Sequence, residues 1–143
     1  GTYTARLTVN DKTYETDFEI LKDPRTTGTL SDIQAQFDFL MKVNNKLSET
    51  NTAVKNIREA RQQINKVTEP MKGKEEMKDI NDLAKSTLEK MKLIEEALYQ
   101  TKNRSGQDPL NFPVRLNNKI GALGGEASSS DFRPNDQTQA VYK

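Results

Sequence analysis

The sequence predicts an α+β fold, mainly α: a short antiparallel β-hairpin followed by an up-and-down bundle of two long helices and one or two short ones. Three observations carry this. Two runs of strict apolar alternation flank an Asn-Asp pair near the start. Two long stretches then place apolar residues at steps of three and four. Proline and glycine punctuate the joins between them. Hydrophobic residues make up 33% of the chain and mean hydropathy is −0.87, which suits thin helices with narrow apolar stripes.

Tyr3, Ala5, Leu7 and Val9 alternate with Thr4, Arg6 and Thr8, the period of a half-buried strand. Tyr14, Thr16, Phe18 and Ile20 alternate in the same way with Glu15, Asp17 and Glu19. Asn10-Asp11 between them suits the positive φ angles of a tight turn, and a two-residue loop would set Leu7 opposite Tyr14 and Tyr3 opposite Phe18. A lone hairpin is marginal in water, so these strands read as the end of a sheet. Asp23-Pro24 and Gly28 mark a linker.

Ser31 with Gln34 has the spacing of a capping box, and Ile33, Phe37, Leu40, Val43, Leu47, Val54, Ile57, Ile64 and Val67 then form a helical stripe to about Glu69. The polar run 48–52 allows a kink. Pro70 and Gly73 end the helix. A second helix fits 74–102, with Met77, Ile80, Ala84, Leu88, Met91, Ile94 and Leu98 as its stripe. Glu75/Lys78, Asp82/Lys85 and Glu89/Lys92 are expected as pairs on its exposed side. A third helix is expected from Pro113, through Val114, Leu116, Ile120 and Leu123, to a stop at Gly124-Gly125. Pro134 opens a fourth. The chain is therefore read as a hairpin ending a truncated β-rich domain (1–22), a linker (23–30) and a helical bundle with a truncated last helix (31–143).

These segments resemble a known family. "GTYTARLTV", "TDFEILKDPR", "DIQAQFDF", "NKLSETNTAVKNIREARQQI", "PLNFPVRLNNKIGAL" and "RPNDQTQAVY" follow one another in the order seen in the C-terminal region of large bacterial sortilin/Vps10-like proteins. Those proteins are built on Asp-box (BNR) β-propellers and are often labelled glycosyl hydrolases. The resemblance spans nearly the whole chain. It implies an extracytoplasmic protein (periplasmic, outer-membrane-associated or secreted) in which propeller blades and a small β-rich domain precede this helical tail. Any hydrolase activity would belong to the propeller, none of whose Asp-box repeats (Ser-x-Asp-x-Gly-x-x-Trp) occurs here. The family often has glycine in the hairpin turn, where this chain has Asp11 and Lys12.

Lys plus Arg total 22 and Asp plus Glu 21, a net charge of +1, which does not point to nucleic acid as a partner. Histidine and cysteine are absent, which removes the commonest general base, thiol nucleophile and zinc ligands. No cofactor and no metal is expected. No apolar run is long enough to predict membrane insertion. Glu75/Glu76 and Glu95/Glu96 diverge by roughly 100° on a helix, so each pair reads as a solvated face rather than an acid/base couple. Lys55, Arg58 and Arg61 read as a surface helix.

The remaining candidate is the stretch containing Asn111, Phe112, Pro113, Asn117, Asn118 and Lys119. One reading makes it a recognition site through side-chain amides. The favoured one makes it a shaping element, with the amides bonded to nearby backbone. Three functions stay in view: a non-catalytic structural and interaction module, a glycan- or peptide-binding accessory module, and a fragment contributing to a propeller glycosidase. The expected partners are the upstream propeller and β-rich domain. An uncovered bundle stripe would also favour self-association.

Overall fold

The computed structural model describes all 143 residues, Gly1–Lys143. Strand β1 (Thr2–Val9) pairs antiparallel with β2 (Lys12–Glu19), and no further strand joins them. The register sets Tyr3 against Phe18 and Leu7 against Tyr14, as the alternation predicts. Asn10 and Asp11 take φ of 47° and 64°, the paired positive angles of a twisted hairpin turn. One face carries Tyr3, Leu7, Tyr14 and Phe18. The other is closed by cross-strand polar pairs, Thr4 Oγ1 to Asp17 Oδ1 at 2.7 Å and Arg6 Nε to Glu15 Oε1 at 2.5 Å.

Helix α1 (Leu30–Thr68) is a single rod of 39 residues, about 58 Å long at ~1.5 Å per residue. Its cap is Thr29 rather than the expected Ser31. Thr29 holds an extended backbone, its Oγ1 accepts from the Asp32 N–H, and Asp32 returns a bond to the Thr29 N–H. The helix runs unbroken through 48–52. Thr50 there is buried and gives its hydroxyl to the Lys46 carbonyl, so a polar residue fits the stripe without leaving a group unmet. The stripe also passes through Phe39, which is buried, and not through Phe37, which is 57% exposed.

Pro70 closes α1, and Gly73, at φ 78°, supplies the left-handed turn that reverses the chain. Helix α2 (Lys78–Leu98) follows a single 3-10 turn at Glu75–Met77, so its regular part is shorter than predicted at both ends. None of the three expected acid-lysine pairs forms. Lys92 reaches instead to Glu96, one turn on, at 3.9 Å. Helix α3 (Leu116–Ala127) starts three residues after Pro113, because Arg115 is still extended. It also runs through Gly124 and Gly125 rather than stopping there. Gly124 faces Val43, whose Cγ1 stands 3.6 Å from where a Cβ would project, an ordinary packing distance. Helix α4 (Asp136–Tyr142) is capped by Asn135, whose Oδ1 accepts from the Thr138 N–H.

Cross-contacts fix the directions of these rods. Glu95 of α2 meets Arg58 and Arg61 of α1, so α2 runs antiparallel along the second half of α1. Gly124 of α3 meets Val43, while Gln36 donates to the carbonyls of Ala127 and Ser130, so α3 continues that antiparallel course along the first half. Arg133 meets Asp32 at 2.5 Å, and Tyr142 reaches Phe39 and the Lys42 carbonyl, so α4 lies parallel to α1. The core is small: Phe39, Val43, Ile120 and Ala127, with Leu40, Leu47, Leu123 and Tyr142 packed around it.

Gly28 is the joint between linker and bundle. A Cβ at this position would sit 2.3 Å from the Asp131 carbonyl oxygen, a backbone atom that cannot swing away. Gly28→Ala is therefore expected to destabilise the chain by about 1–3 kcal/mol through overpacking, read by urea denaturation followed by circular dichroism. A change below about 0.3 kcal/mol would show that the 128–133 loop yields freely.

Candidate functional site

Residues 100–119 wrap the junction where α2 hands over to α3. Gln100 is buried, and its Nε2 donates to the Pro113 carbonyl at 2.8 Å. Lys102 Nζ lies 5.7 Å from the centre of the Phe112 ring. Asn111 is exposed at the end of a one-turn 3-10 segment, Asp108–Leu110. Asn118 accepts the Arg115 N–H at 3.3 Å, tying down the start of α3. Asn117 is half-buried, and its Oδ1 is shut from solvent with no partner, as are Arg115 Nε and Asn103 Oδ1. Lys119 is exposed. The cluster is thus divided among separate local tasks, and its amides do not converge on one point.

A charged constellation that sequence reasoning missed lies between α1 and α2. Glu95 is 2% exposed, not part of a solvated face. Its Oε1 accepts from Arg58 Nε at 2.7 Å and its Oε2 from Arg61 Nη2, while the Arg58 guanidinium sits 5.1 Å from the Tyr99 ring centre. Burial is the largest influence on the Glu95 carboxyl and pushes its pKa up. The two arginines, by hydrogen bond and by charge, together outweigh it and hold Glu95 below the ordinary carboxylate value. The available signal was positional: Glu95 continues the spacing Leu88, Met91, Glu95, Leu98 on the α1-facing stripe.

The other perturbed acids serve local structure. The Thr29 hydroxyl, with Arg133 behind it, lowers the Asp32 carboxyl to about 2. Arg25 lowers Asp23, and the Arg104 and Ser105 backbone N–H groups lower Asp108. All four carboxyls are held in the ionised form, opposite in direction to the raised pKa that a carboxylic general acid needs at neutral pH. No group of three or more Asp or Glu side chains is placed to hold a metal ion.

Three surfaces remain. An open polar groove of about 960 Å³ runs between the second half of α1 and α2, with Arg61, Asn65 and Thr68 on one wall and Lys85, Glu89 and Lys92 on the other. Its charges alternate in sign. The hairpin presents Tyr3, Leu7, Tyr14 and Phe18 with about half of each side chain in water, and no helix lies against them. Along the side of α1 and α2 away from the groove, Val67, Ile80, Leu83 and Ile94 are also exposed. No helix is long and apolar enough to cross a membrane. In comparison with known proteins, the chain matches no family model, no curated protein and no solved structure.

Proposed function

We propose that this chain is a non-catalytic structural and interaction module: the C-terminal part of a larger extracytoplasmic β-propeller protein of the sortilin/Vps10-like kind. In this reading the hairpin completes an upstream β-rich domain and the helical rods dock on or space the propeller. The observation that carries it is the amphipathic hairpin. Its polar face is internally paired, while its apolar face, with Tyr3 52% and Leu7 61% exposed, has nothing upon it. A two-stranded ribbon of this kind gains stability by burying that face and pairing its free edges.

Amide hydrogen exchange tests the idea. The β1–β2 amides of the chain alone are expected to exchange within seconds to minutes, and to become protected at least 100-fold when the β-rich portion of the parent protein is added. Unchanged exchange at saturating partner would remove the hairpin from any docking role. A second reading draws on the same face: Tyr3 and Phe18 stack with ring centres 5.9 Å apart, a pair on which a sugar ring could lie. Binding of soluble glycans that shifts the Tyr3 and Phe18 resonances would favour that accessory-module reading instead.

A further inference from the structure

Gly1 and Ile20 exchange both of their backbone bonds, at 2.8 and 3.0 Å. In an antiparallel ladder such closed pairs alternate with pairs whose backbone groups point outward. Tyr3–Phe18, Ala5–Thr16, Leu7–Tyr14 and Val9–Lys12 are therefore closed, and the pairs between them are not. The N–H and C=O groups of Thr2, Thr4, Arg6 and Thr8 form one free edge, and those of Thr13, Glu15, Asp17 and Glu19 form the other. The register is unbroken and neither strand contains proline, so no bulge or missing donor blunts either edge.

The two edges differ in charge. Outward backbone groups and side-chain direction both repeat every two residues, so the edge residues are also those of the polar face. On the β1 edge Arg6 is the only charge, and it is already bonded to Glu15. The β2 edge carries Glu15, Asp17 and Glu19. Asp17 is bonded only to the Thr4 hydroxyl and Glu19 to no side chain, so two carboxylates on that edge have no cation beside them.

Those carboxylates decide which strand can be added. A second copy pairing β2 to β2 would set acid against acid, either Asp17 on Asp17 with Glu15 on Glu19, or Glu15 on Asp17. A basic strand on the β1 edge would meet Arg6. A strand with a cation at every second position meets opposite charge along β2, and its intervening residues then extend the exposed face of Tyr14 and Phe18.

We infer that the edge of β2 (Lys12–Glu19) is the docking site for one β-strand of a partner in which lysine or arginine alternates with apolar residues. The partner strand bonds to the free backbone groups of Thr13, Glu15, Asp17 and Glu19. Its cations lie beside the three carboxylates and its apolar residues beside Tyr14 and Phe18. The inference rests on the reading of the hairpin as a docking element, and adds to it the edge that is used and the chemistry of the strand that uses it.

The test adds to the full chain a synthetic peptide of about nine residues that alternates lysine with valine and tyrosine. One control peptide has glutamate in place of lysine, and another has the same composition with the alternation scrambled. At saturation the basic peptide should slow exchange of the Glu15 and Asp17 amides at least tenfold and leave those of Thr4 and Arg6 unchanged. Both controls should bind at least tenfold more weakly by chemical-shift titration. Asp17→Asn with Glu19→Gln should weaken the basic peptide at least fivefold, whereas Glu76→Gln, exposed and remote from the hairpin, should leave it unchanged. Glu19→Gln alone, at a side chain with no hydrogen bond, keeps the test informative if the double variant loses the Tyr3–Phe18 contact. Equal binding of the glutamate peptide, protection of the β1 edge, or indifference to the carboxylate substitutions would overturn the inference. So would an absence of saturable binding by a chain that retains the Tyr3–Phe18 contact. Docking of the parent's β-rich portion with protection on the β1 edge would overturn this edge assignment and leave the docking-module reading standing. Binding of the basic peptide along β2 without any docking of that portion would do the reverse.

Discussion

Phe39→Ala is expected to destabilise the fold by about 3 kcal/mol, a large effect for a molecule with so small a core. Phe39 is the largest side chain among the four buried core residues, and its ring is what α4 closes upon through Tyr142. Truncation removes the transfer free energy of the ring and leaves a void facing Val43 and Ile120, while the half-buried Tyr142 can partly collapse into it. The value therefore belongs near the lower end of the usual range for such a deletion. Urea denaturation followed at 222 nm measures it, and the Tyr142 ring resonances should report release of α4 at lower urea than the loss of α1. A cost below about 1 kcal/mol would mean that the α1–α3–α4 cluster is not what holds the first half together.

Glu95→Gln is the second large effect. Removing one member of a buried ionic cluster strands the others, ordinarily at about 3–5 kcal/mol. Here Arg58 is half exposed and Arg61 a third, so water screens them and a loss of about 2–3 kcal/mol is expected. The pH dependence has a definite sign. The folded pKa of Glu95 lies below its unfolded value, so its stabilisation is complete above the unfolded pKa, about 4.3, and is lost as pH falls through the folded one. The difference between the parent chain and Glu95→Gln should therefore be flat from pH 7 to about 5 and shrink below about 4. Urea midpoints across that series decide it. A difference that grows on acidification would contradict the arrangement.

The hairpin was legible down to its register because one pattern determines both halves: alternation sets the faces, and a two-residue turn with asparagine and aspartate sets the pairing. The long helices were legible from periodicity. Periodicity failed where a side chain satisfied its own needs locally. Thr50 reads as an interruption of the stripe, yet its hydroxyl bonds within the helix, so no kink follows. Gly124-Gly125 reads as a stop, but neither glycine takes the left-handed angle that ends a helix, and α3 continues through both to Ala127. Glu95 was misassigned because a carboxylate's fate depends on which cations the other helix brings, and Arg58 and Arg61 are 37 and 34 residues away in sequence. The asparagine stretch stands out in the sequence by its composition. Its division between an Asn118 cap, a half-buried Asn117 and an exposed Asn111 depends on where α3 begins, and that start is set by the extended Arg115.

The central claim is that the hairpin face is a docking surface for the β-rich portion of a parent protein. Calorimetric titration of the 143-residue chain with that separately produced portion tests it most directly. The account predicts saturable binding with a negative heat-capacity change, the mark of apolar burial, and its loss in a Leu7→Ser, Phe18→Ser variant whose helices remain folded. An absence of binding by the folded chain, or binding that the double substitution leaves intact, would contradict it.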